Sequence, residues 1–420
     1  MKILLIMLVI FIFTACGNGE EGPVEINVVT SFGAYYGVAT NAFMMAMDTF
    51  LETTDVSINH IRTEVVNEDW KERVVNYFHT GYIPDVLFFF TGADADELVL
   101  ANYFVPISEI RRYFPDFARN MQDSLLPVSP ADGRQFAVPV SGFWQGLFVN
   151  TYVLEKSGVD LPDANHTWEQ FLEDCQAILD AGFTPIAVSL YEIPHYWFEF
   201  AVLNNGGMSN HLTLPASSAD VYGQAWADGL RDIKYLYTRG FLSERTLYDS
   251  DAQTSQKMIR NEAAFMIDGS WKMSWFQLYA LENIENFAVT YVPARKENRD
   301  ASHIIGGLSM GYFLTRYAWD NPQRRQAGVD FIKAMTADDV VASFGTLAMT
   351  ALVNVIPPPE DADSYIESVV EMIRGTTGVV AAVQDILTTQ ARRTLFEYIP
   401  YVVRGYVTAE EAIDRSLVFN

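Results

Sequence analysis

A short segment around residue 309 matches a known nucleophile pattern. Gly307-Leu308-Ser309-Met310-Gly311 has the form G-x-S-x-G, in which a serine at a strand-to-helix turn attacks an acyl group. That turn requires a helix directly after the serine, whereas Met310 to Thr315 has the apolar and aromatic content of a strand. The associated triad also places its histidine after the serine, and no histidine follows Ser309. The sequence therefore argues against serine hydrolysis.

The histidines and cysteines do not form a metal-binding pattern. None of the 6 histidines stands in an H-E-x-x-H or H-x-x-x-H arrangement, and the 2 cysteines do not form C-x-x-C. The sequence also has no G-x-x-x-x-G-K-[ST] loop and no G-x-G-x-x-G after a predicted strand. We therefore expect neither a metal site nor a nucleotide or other cofactor.

Carboxylate pairs for glycoside hydrolysis are recognised by their separation in space, at about 5–10 Å. The 53 acidic residues offer many pairs, and no local motif selects one of them. An exported glycoside hydrolase therefore stays open as an alternative, although the search for chemistry favours a protein that binds rather than reacts.

The composition describes a globular, acidic protein. Half of its 420 residues are hydrophobic and its formal net charge is −25. Such a surface is a poor partner for nucleic acid, because phosphate binding requires a basic patch. The length predicts two domains, each with its own core.

The N-terminus has the features of an export signal. Lys2 is followed by an apolar run from Ile3 to Phe13 and by the small residues that end at Cys16. This pattern resembles a bacterial lipobox, in which the cysteine is lipidated and becomes the first mature residue. We predict a signal peptide at 1–15, lipidation of Cys16, and a linker at 16–23 that holds the exported protein at the membrane. A plain signal peptide and an uncleaved anchor remain alternatives.

Strands and helices alternate along the predicted chain. The apolar run Val86–Phe90 suits a parallel strand that is covered on both faces. Strands are also predicted at 26–30, 56–61, 135–140, 146–150, 185–190, 263–267, 287–292 and 310–314, with helices at 39–51 and 70–79. Capping residues are predicted at Thr167, Ser364 and Thr408. This βαβα order predicts an α/β fold.

Several separated motifs occur in an order that is specific, although each one is short. They are Thr80-Gly81-Tyr82-Ile83-Pro84-Asp85-Val86, Gly133 to Pro139 with Leu147 to Asn150, Pro185-Ile186, Gly206-Gly207, Asn261 to Met266 with Gly269-Ser270-Trp271, Gly306-Gly307, and Phe331-Ile332 before Thr336-Ala337-Asp338. Through these motifs the chain resembles the family 1 extracellular solute-binding proteins of ABC importers, the class that includes maltose-binding protein.

The resemblance implies a type II periplasmic-binding-protein fold, in which two α/β lobes are joined by crossing strands around a ligand cleft. Lobe one would comprise 24–140 and 292–340, and lobe two 144–288 and 345–420. It further implies a monomer that captures a carbohydrate, which we expect to be an oligosaccharide, and delivers it to the transmembrane subunits of an ABC permease.

Ligands of open α/β sheets bind beyond the carboxyl ends of the strands. Applied to the predicted strands, this rule selects aromatic and acidic positions in the loops that follow them as candidate ligand contacts: Tyr35, Tyr36, Asp94, Glu192, Trp197 and Trp271. Trp144, between two paired strands, is a further candidate, as are Gly306 and Gly307, which precede a strand and would let the backbone approach a ligand closely. The three tryptophans are the preferred platforms for the apolar faces of a sugar ring, and the acids suit its hydroxyl rim. The adjacent Tyr35 and Tyr36 leave open a ferric-ion or polyamine carrier on a similar fold.

Overall fold

The computed structural model describes residues 23–33, 38–62, 67–344, 347–354, 357–358, 360 and 362–420. The candidate residues Cys16, Tyr35 and Tyr36 lie outside these ranges. None of the helices in the described part of the chain has the length and apolar character needed to cross a membrane.

The described residues form eleven strands. They are β1 (Glu25–Thr30), β2 (Ser57–Arg62), β3 (Val86–Phe90), β4 (Ala137–Pro139), β5 (Phe143–Asn150), β6 (Thr184–Ile186), β7 (Ala263–Gly269), β8 (Phe287–Thr290), β9 (His303–Gly307), β10 (Met310–Leu314) and β11 (Gly378–Val380).

Sixteen α-helices fill most of the intervals between these strands in the described ranges. They are α1 (Val38–Thr53), α2 (Asn67–His79), α3 (Ala93–Leu100), α4 (Ile107–Tyr113), α5 (Thr151–Ser157), α6 (Trp168–Asp180), α7 (His195–His211), α8 (Val221–Thr238), α9 (Asp251–Ile259), α10 (Lys272–Tyr279), α11 (Arg316–Trp319), α12 (Pro322–Met335), α13 (Asp338–Ser343), α14 (Ser364–Gly375), α15 (Thr389–Arg404) and α16 (Ala409–Leu417).

The strands form two separate sheets. The first has the order β2-β1-β3-β10-β4, with β1 parallel to β2 and β3 and with β10 antiparallel to its neighbours. The second has the order β11-β9-β5-β7-β6, with β8 also paired to β5. We call the body built on the first sheet lobe one and the body built on the second sheet lobe two, so the two-lobed α/β fold is confirmed.

Strand β3 shows why the sheets are buried on both faces. Its side chains alternate between two apolar clusters: Val86 and Phe88 pack on one face of the first sheet, and Leu87 and Phe89 pack on the other. Because helices cover both faces, the strand has no polar position, as its continuous apolar sequence predicts.

Side-chain caps fix several helix starts. The Thr167 hydroxyl accepts the Gln170 N–H while Gln170 Oε1 accepts the Thr167 N–H, which confirms the predicted capping box. Thr408 caps α16 as predicted. Helix α14 differs from the prediction that Ser364 caps it, because the Asp363 carboxylate accepts the Ile366 N–H at 2.8 Å and Ser364 is the first helical residue.

The chain passes between the lobes at 140–142, at 308–309 and after α13. Gly142 lies where two of these passages touch, and a Cβ there would be 2.3 Å from the carbonyl oxygen of Gly307. The absence of a side chain at Gly142 therefore permits this close approach. The lobe boundaries given above stay a prediction, and β9, inside the 292–340 segment, pairs in the second sheet.

Candidate functional site

Three aromatic rings meet where strands of lobe two end. Trp271 follows β7 and is 49% exposed, and its ring centroid lies 5.8 Å from those of both Phe143 and Tyr196. A Cβ on Gly269 would lie 2.3 Å from the Trp271 ring, so the indole rests directly on the backbone at that glycine. This cluster, which we call the aromatic face, presents flat apolar surface beyond the sheet.

A buried amide and a buried carboxyl lie beneath the start of α7. Gln145 Nε2 donates to Glu199 Oε2 at 2.7 Å, and both side chains are buried. Oε1 of each has no hydrogen-bond partner among the residues that the structure describes. Burial raises the pKa of Glu199 to about 8, although the Gln145 amide and, more weakly, the Arg392 guanidinium and the Gln384 N–H favour the ionised form.

A lysine joins two aspartates at the neighbouring strand end. Lys272 Nζ lies 2.6 Å from Asp251 Oδ2 and 3.2 Å from Asp268 Oδ2. Burial raises the pKa of Asp268 to about 6 even though Lys272 opposes the change. Both carboxylates raise the pKa of the Tyr196 phenol, after burial, and so lie close to the aromatic face.

A charged cluster connects the two lobes. Arg392 on α15 donates to both carboxylate oxygens of Glu68 on α2, at 2.9 and 2.8 Å, and to Asp94 on α3 at 2.7 Å. Lys71 Nζ lies 2.9 Å from Asp94 and 3.2 Å from Glu68. We call these four residues the interlobe cluster.

The electrostatics of the interlobe cluster favour its ionised form. The Arg392 side chain has no exposed surface. Burial would lower its pKa, but the carboxylates of Asp94 and Glu68 outweigh burial and raise it. The geometry therefore holds the lobes together through paired charges.

Asp385 faces the interlobe cluster from the turn at Val383–Ile386 of lobe two. Burial raises the pKa of this half-buried carboxyl to about 6; Lys71 and Arg392 oppose the change, while Asp94 and Glu68 add to it. No described residue makes a hydrogen bond or an ion pair with its carboxylate. Asp385 is thus an additional acid beside a cluster whose charges are already paired.

The residues predicted as ligand contacts lie in different parts of the structure. Trp271, Gly306 and Gly307 meet at the aromatic face, since Gly306 and Gly307 pair with Trp144 and Phe143 on β5. Asp94 lies in the interlobe cluster. Glu192 is exposed and its Oε2 accepts the N–H of Asp251, at the start of α9.

Trp144 and Trp197 are packed inside lobe two. The Trp144 ring has no exposed surface, stacks on Phe148 and donates its N–H to the carbonyl of Leu347. Trp197 was expected in a loop, but α7 begins at His195 and its ring packs against Phe171. Neither ring faces the cleft in this arrangement of the lobes, so Trp271 is the tryptophan that we retain as a platform.

Sequence reasoning did not select Glu68, Lys71, Glu199, Asp385 or Arg392 as site residues. Glu199 alone carries a local signal, because it is the one acid in the apolar run Trp197–Leu203. Among the described residues no group of three or more histidine, cysteine, aspartate or glutamate side chains could hold a metal ion. The site offers hydrogen-bond acceptors, ion pairs and an aromatic face.

Comparison with known proteins identifies the family. The sequence model of the bacterial extracellular solute-binding protein family matches residues 45–368. The chain therefore belongs to this family of extracellular binding proteins, and the resemblance drawn from its motifs is confirmed. No curated protein sequence is significantly similar to the chain.

Solved structures support the same fold. A chitin oligosaccharide binding protein matches with a TM-score of 0.78 and 18% identity, over 94% of this chain and 98% of that one. The SBP RafE in complex with raffinose matches with a TM-score of 0.71 and 15% identity, over 94% and 98%. A family 1 extracellular solute-binding protein from Bifidobacterium longum subsp. infantis gives 0.66 and 17%, over 94% and 98%.

Proposed function

We propose that this solute-binding protein captures a carbohydrate between its lobes and delivers it to an ABC permease without chemical change. The observation that carries the proposal is the aromatic face beside buried acceptors. A pyranose has apolar C–H faces and a rim of hydroxyl donors. Trp271 and its neighbours match the faces, and the free Oε1 atoms of Gln145 and Glu199 match the donors.

The comparisons support a carbohydrate as the solute class. Two proteins of the same fold are described as binding a chitin oligosaccharide and as a complex with raffinose. The chain shares 18% and 15% identity with them, so this support concerns the class of ligand and not a particular sugar.

Closure of the lobes would retain the ligand. The interlobe cluster makes hydrogen bonds of 2.7–2.9 Å from Arg392 across the cleft, and these exist only when the lobes are together. A ligand that touches both lobes binds the closed form better and shifts the population toward it. The permease would receive the protein in this closed form.

A lipid on Cys16 would hold the protein beside its permease and raise the local concentration of the complex. Mass spectrometry of the mature N-terminus tests this part of the proposal. An acylated Cys16 supports anchoring at the outer face of the membrane. An unmodified, cleaved N-terminus would mean that the monomer diffuses freely after export.

A calorimetric screen against mono- and oligosaccharides tests the binding function. A ligand at 100 times its dissociation constant adds about 2.7 kcal/mol to the free energy of unfolding, which a thermal shift also detects. We expect Trp271→Ala to abolish the response to the best sugar. Tyr406→Ala removes another exposed aromatic ring, 70% exposed and beyond the far end of α15, and serves as the control.

Three results would contradict this function. They are the absence of a response to any carbohydrate, turnover of a glycan by the purified protein, and a tyrosinate-to-iron absorption band after addition of ferric ion. A Trp271→Ala variant that binds as tightly as the wild type would show that the aromatic face is not the sugar platform.

A further inference from the structure

The carboxyls around the cleft outnumber the cations. The interlobe cluster is balanced, since Glu68 and Asp94 pair with Lys71 and Arg392. Outside it, Asp251 and Asp268 share Lys272, and neither Glu199 nor Asp385 forms an ion pair with any described residue. Six carboxyls thus face three cations.

Other basic groups do not correct this imbalance. Between residues 23 and 420, the positions outside the described residues contain no lysine, arginine or histidine. The His195 ring stacks on Phe396 close to the interlobe cluster. Burial, with the added effect of Arg392 and Lys71, lowers the pKa of His195 to about 3, so this histidine is neutral.

Acceptor atoms without donors accompany the excess of carboxyls. Gln145 is 1% exposed and Glu199 is 0% exposed, and Oε1 of each is without a hydrogen-bond partner in the described part of the protein. Asp251 Oδ1 is also without a hydrogen-bond partner among the described residues. A buried acceptor without a donor costs about 1–3 kcal/mol, so these atoms favour a ligand that supplies donors and positive charge.

The pKa values of these acids also reflect the excess of carboxyls over cations. Burial raises the pKa of Glu199 to about 8 and that of Asp385 to about 6, and the Asp385 carboxylate adds to the effect of burial on Glu199. A bound cation would favour their ionised forms. A metal ion is a poor match, because no described group of three such side chains could coordinate one.

We propose that the sugar bound in the cleft carries a free, protonated amino group, which lies against Glu199 and Asp385. The inference rests on the carbohydrate-binding function proposed above. An ammonium supplies three donors and a positive charge, whereas an acetamido or hydroxyl group supplies one donor and no charge. The aromatic face adds attraction for a cation above the rings of Tyr196 and Trp271.

The test compares a glucosamine oligosaccharide with its fully N-acetylated form of the same length. Affinities are measured by titration calorimetry at 150 mM salt, where the general field of an acidic protein is largely screened. The pH is 7.5, which is close to the pKa of Glu199. We expect the amino form to bind about tenfold more tightly than the acetylated form, the difference expected for one charge-assisted hydrogen bond.

Two variants locate the amino group. Glu199→Gln should lower the ratio of amino-form affinity to acetylated-form affinity about tenfold. Glu371→Gln removes the same charge from an exposed position on α14 and should leave both affinities unchanged. Asp385→Asn, at a half-buried position, repeats the test if the first variant does not fold.

The outcomes separate this inference from the function beneath it. Equal affinities, or tighter binding of the acetylated form, would overturn the amino-sugar inference and leave carbohydrate binding intact. Binding of neither saccharide would overturn the amino-sugar inference, and only the absence of a response to every carbohydrate of the screen would overturn both. A parallel titration with spermidine would then show whether the acids serve a polyamine. If Glu371→Gln and Glu199→Gln lose the same affinity for the amino form, the preference for that form comes from the net charge of the protein. That result would overturn the placement of the amino group against Glu199 and Asp385.

Discussion

Two buried arginines of this protein stand in opposite electrostatic surroundings. Arg299 is 4% exposed and donates to neutral oxygens of lobe two, at 2.6 Å to Asn204 Oδ1, 2.6 Å to the Val292 carbonyl and 2.8 Å to the His303 carbonyl. Arg392 is fully buried and donates to the carboxylates of Glu68 and Asp94, which belong to lobe one.

The contacts of Arg299 lie within one lobe, whereas the contacts of Arg392 join the two lobes. Burial lowers the pKa of Arg299 to about 9, because none of the described carboxylates lies at hydrogen-bond distance to offset its desolvation. Its partners belong to the same lobe, so these bonds form when lobe two folds. In the proposed closure, the partners of Arg392 move with lobe one and are hydrated when the lobes separate. Burial of a cation would then serve folding at one site and closure at the other.

Replacing Arg299 with methionine should have the largest effect on stability. The apolar side chain fills similar space but leaves the carbonyls of Val292 and His303 and the Asn204 amide oxygen without their donor. We expect a loss of about 3–5 kcal/mol in the free energy of unfolding, since several buried acceptors each cost about 1–3 kcal/mol. Denaturant titration measures this loss. A loss below about 1 kcal/mol would mean that water replaces the guanidinium and that the hydrogen bonds of Arg299 are not needed for the folding of lobe two.

Replacing Arg392 with glutamine should change the arrangement of the lobes more than their folding. In the closed form Glu68 and Asp94 would then share only Lys71, whereas in an open form water solvates both carboxylates. We expect the closed-to-open ratio to fall by about thirtyfold, or about 2 kcal/mol. Small-angle X-ray scattering of the ligand-free protein would show this change as a larger radius of gyration.

The neighbouring Arg393 provides the control for Arg392. Its pairs with Glu72 and Asp69, at 3.1 and 3.5 Å, are partly exposed, and such surface pairs contribute about 0–1 kcal/mol. Arg393→Gln should therefore leave the scattering curve unchanged. Equal expansion in both variants would show that charge alone, and not the buried geometry of Arg392, holds the lobes together.

The fold was predictable where local pattern and burial agree. Strands β3 and β10 have the predicted bounds because each is a run of apolar and aromatic residues, in which Gly311 of β10 is the one small residue. The predicted strand 185–190 is shorter, since β6 pairs with β7 only at Thr184 and Ile186. Helix α7 then begins at His195, which moves Trp197 from an expected loop into the core.

The candidate site was less predictable because its groups come from distant parts of the chain. Glu68 and Arg392 are 324 residues apart, and neither stands in a motif that selects the other. Trp271 could be selected because it directly follows a recognisable strand and remains exposed. Trp144 is predicted between two strands, but β5 begins at Phe143 and carries the Trp144 ring into the core.

Glu199 can be compared with the two arginines, because it is a buried acid whose hydrogen-bond partner among the described residues is an amide. Its pKa is raised from 4.5 to about 8, with burial as the largest cause. Between these two values the folded protein holds a proton that the unfolded chain has released, so this group makes stability fall as pH rises. The slope for one proton is about 1.4 kcal/mol per pH unit.

The Glu199→Gln variant should remove this slope, because glutamine keeps the shape of the neutral acid and does not titrate. The free energy of unfolding of the variant relative to wild type should rise steadily between pH 5 and pH 7.5, as denaturant titrations at several pH values would show. Glu371→Gln, at an exposed position, should leave the wild-type pH dependence unchanged. If Glu199→Gln instead retains the wild-type slope, Glu199 is ionised in the folded protein, and a cation other than Arg392 must already be close to it.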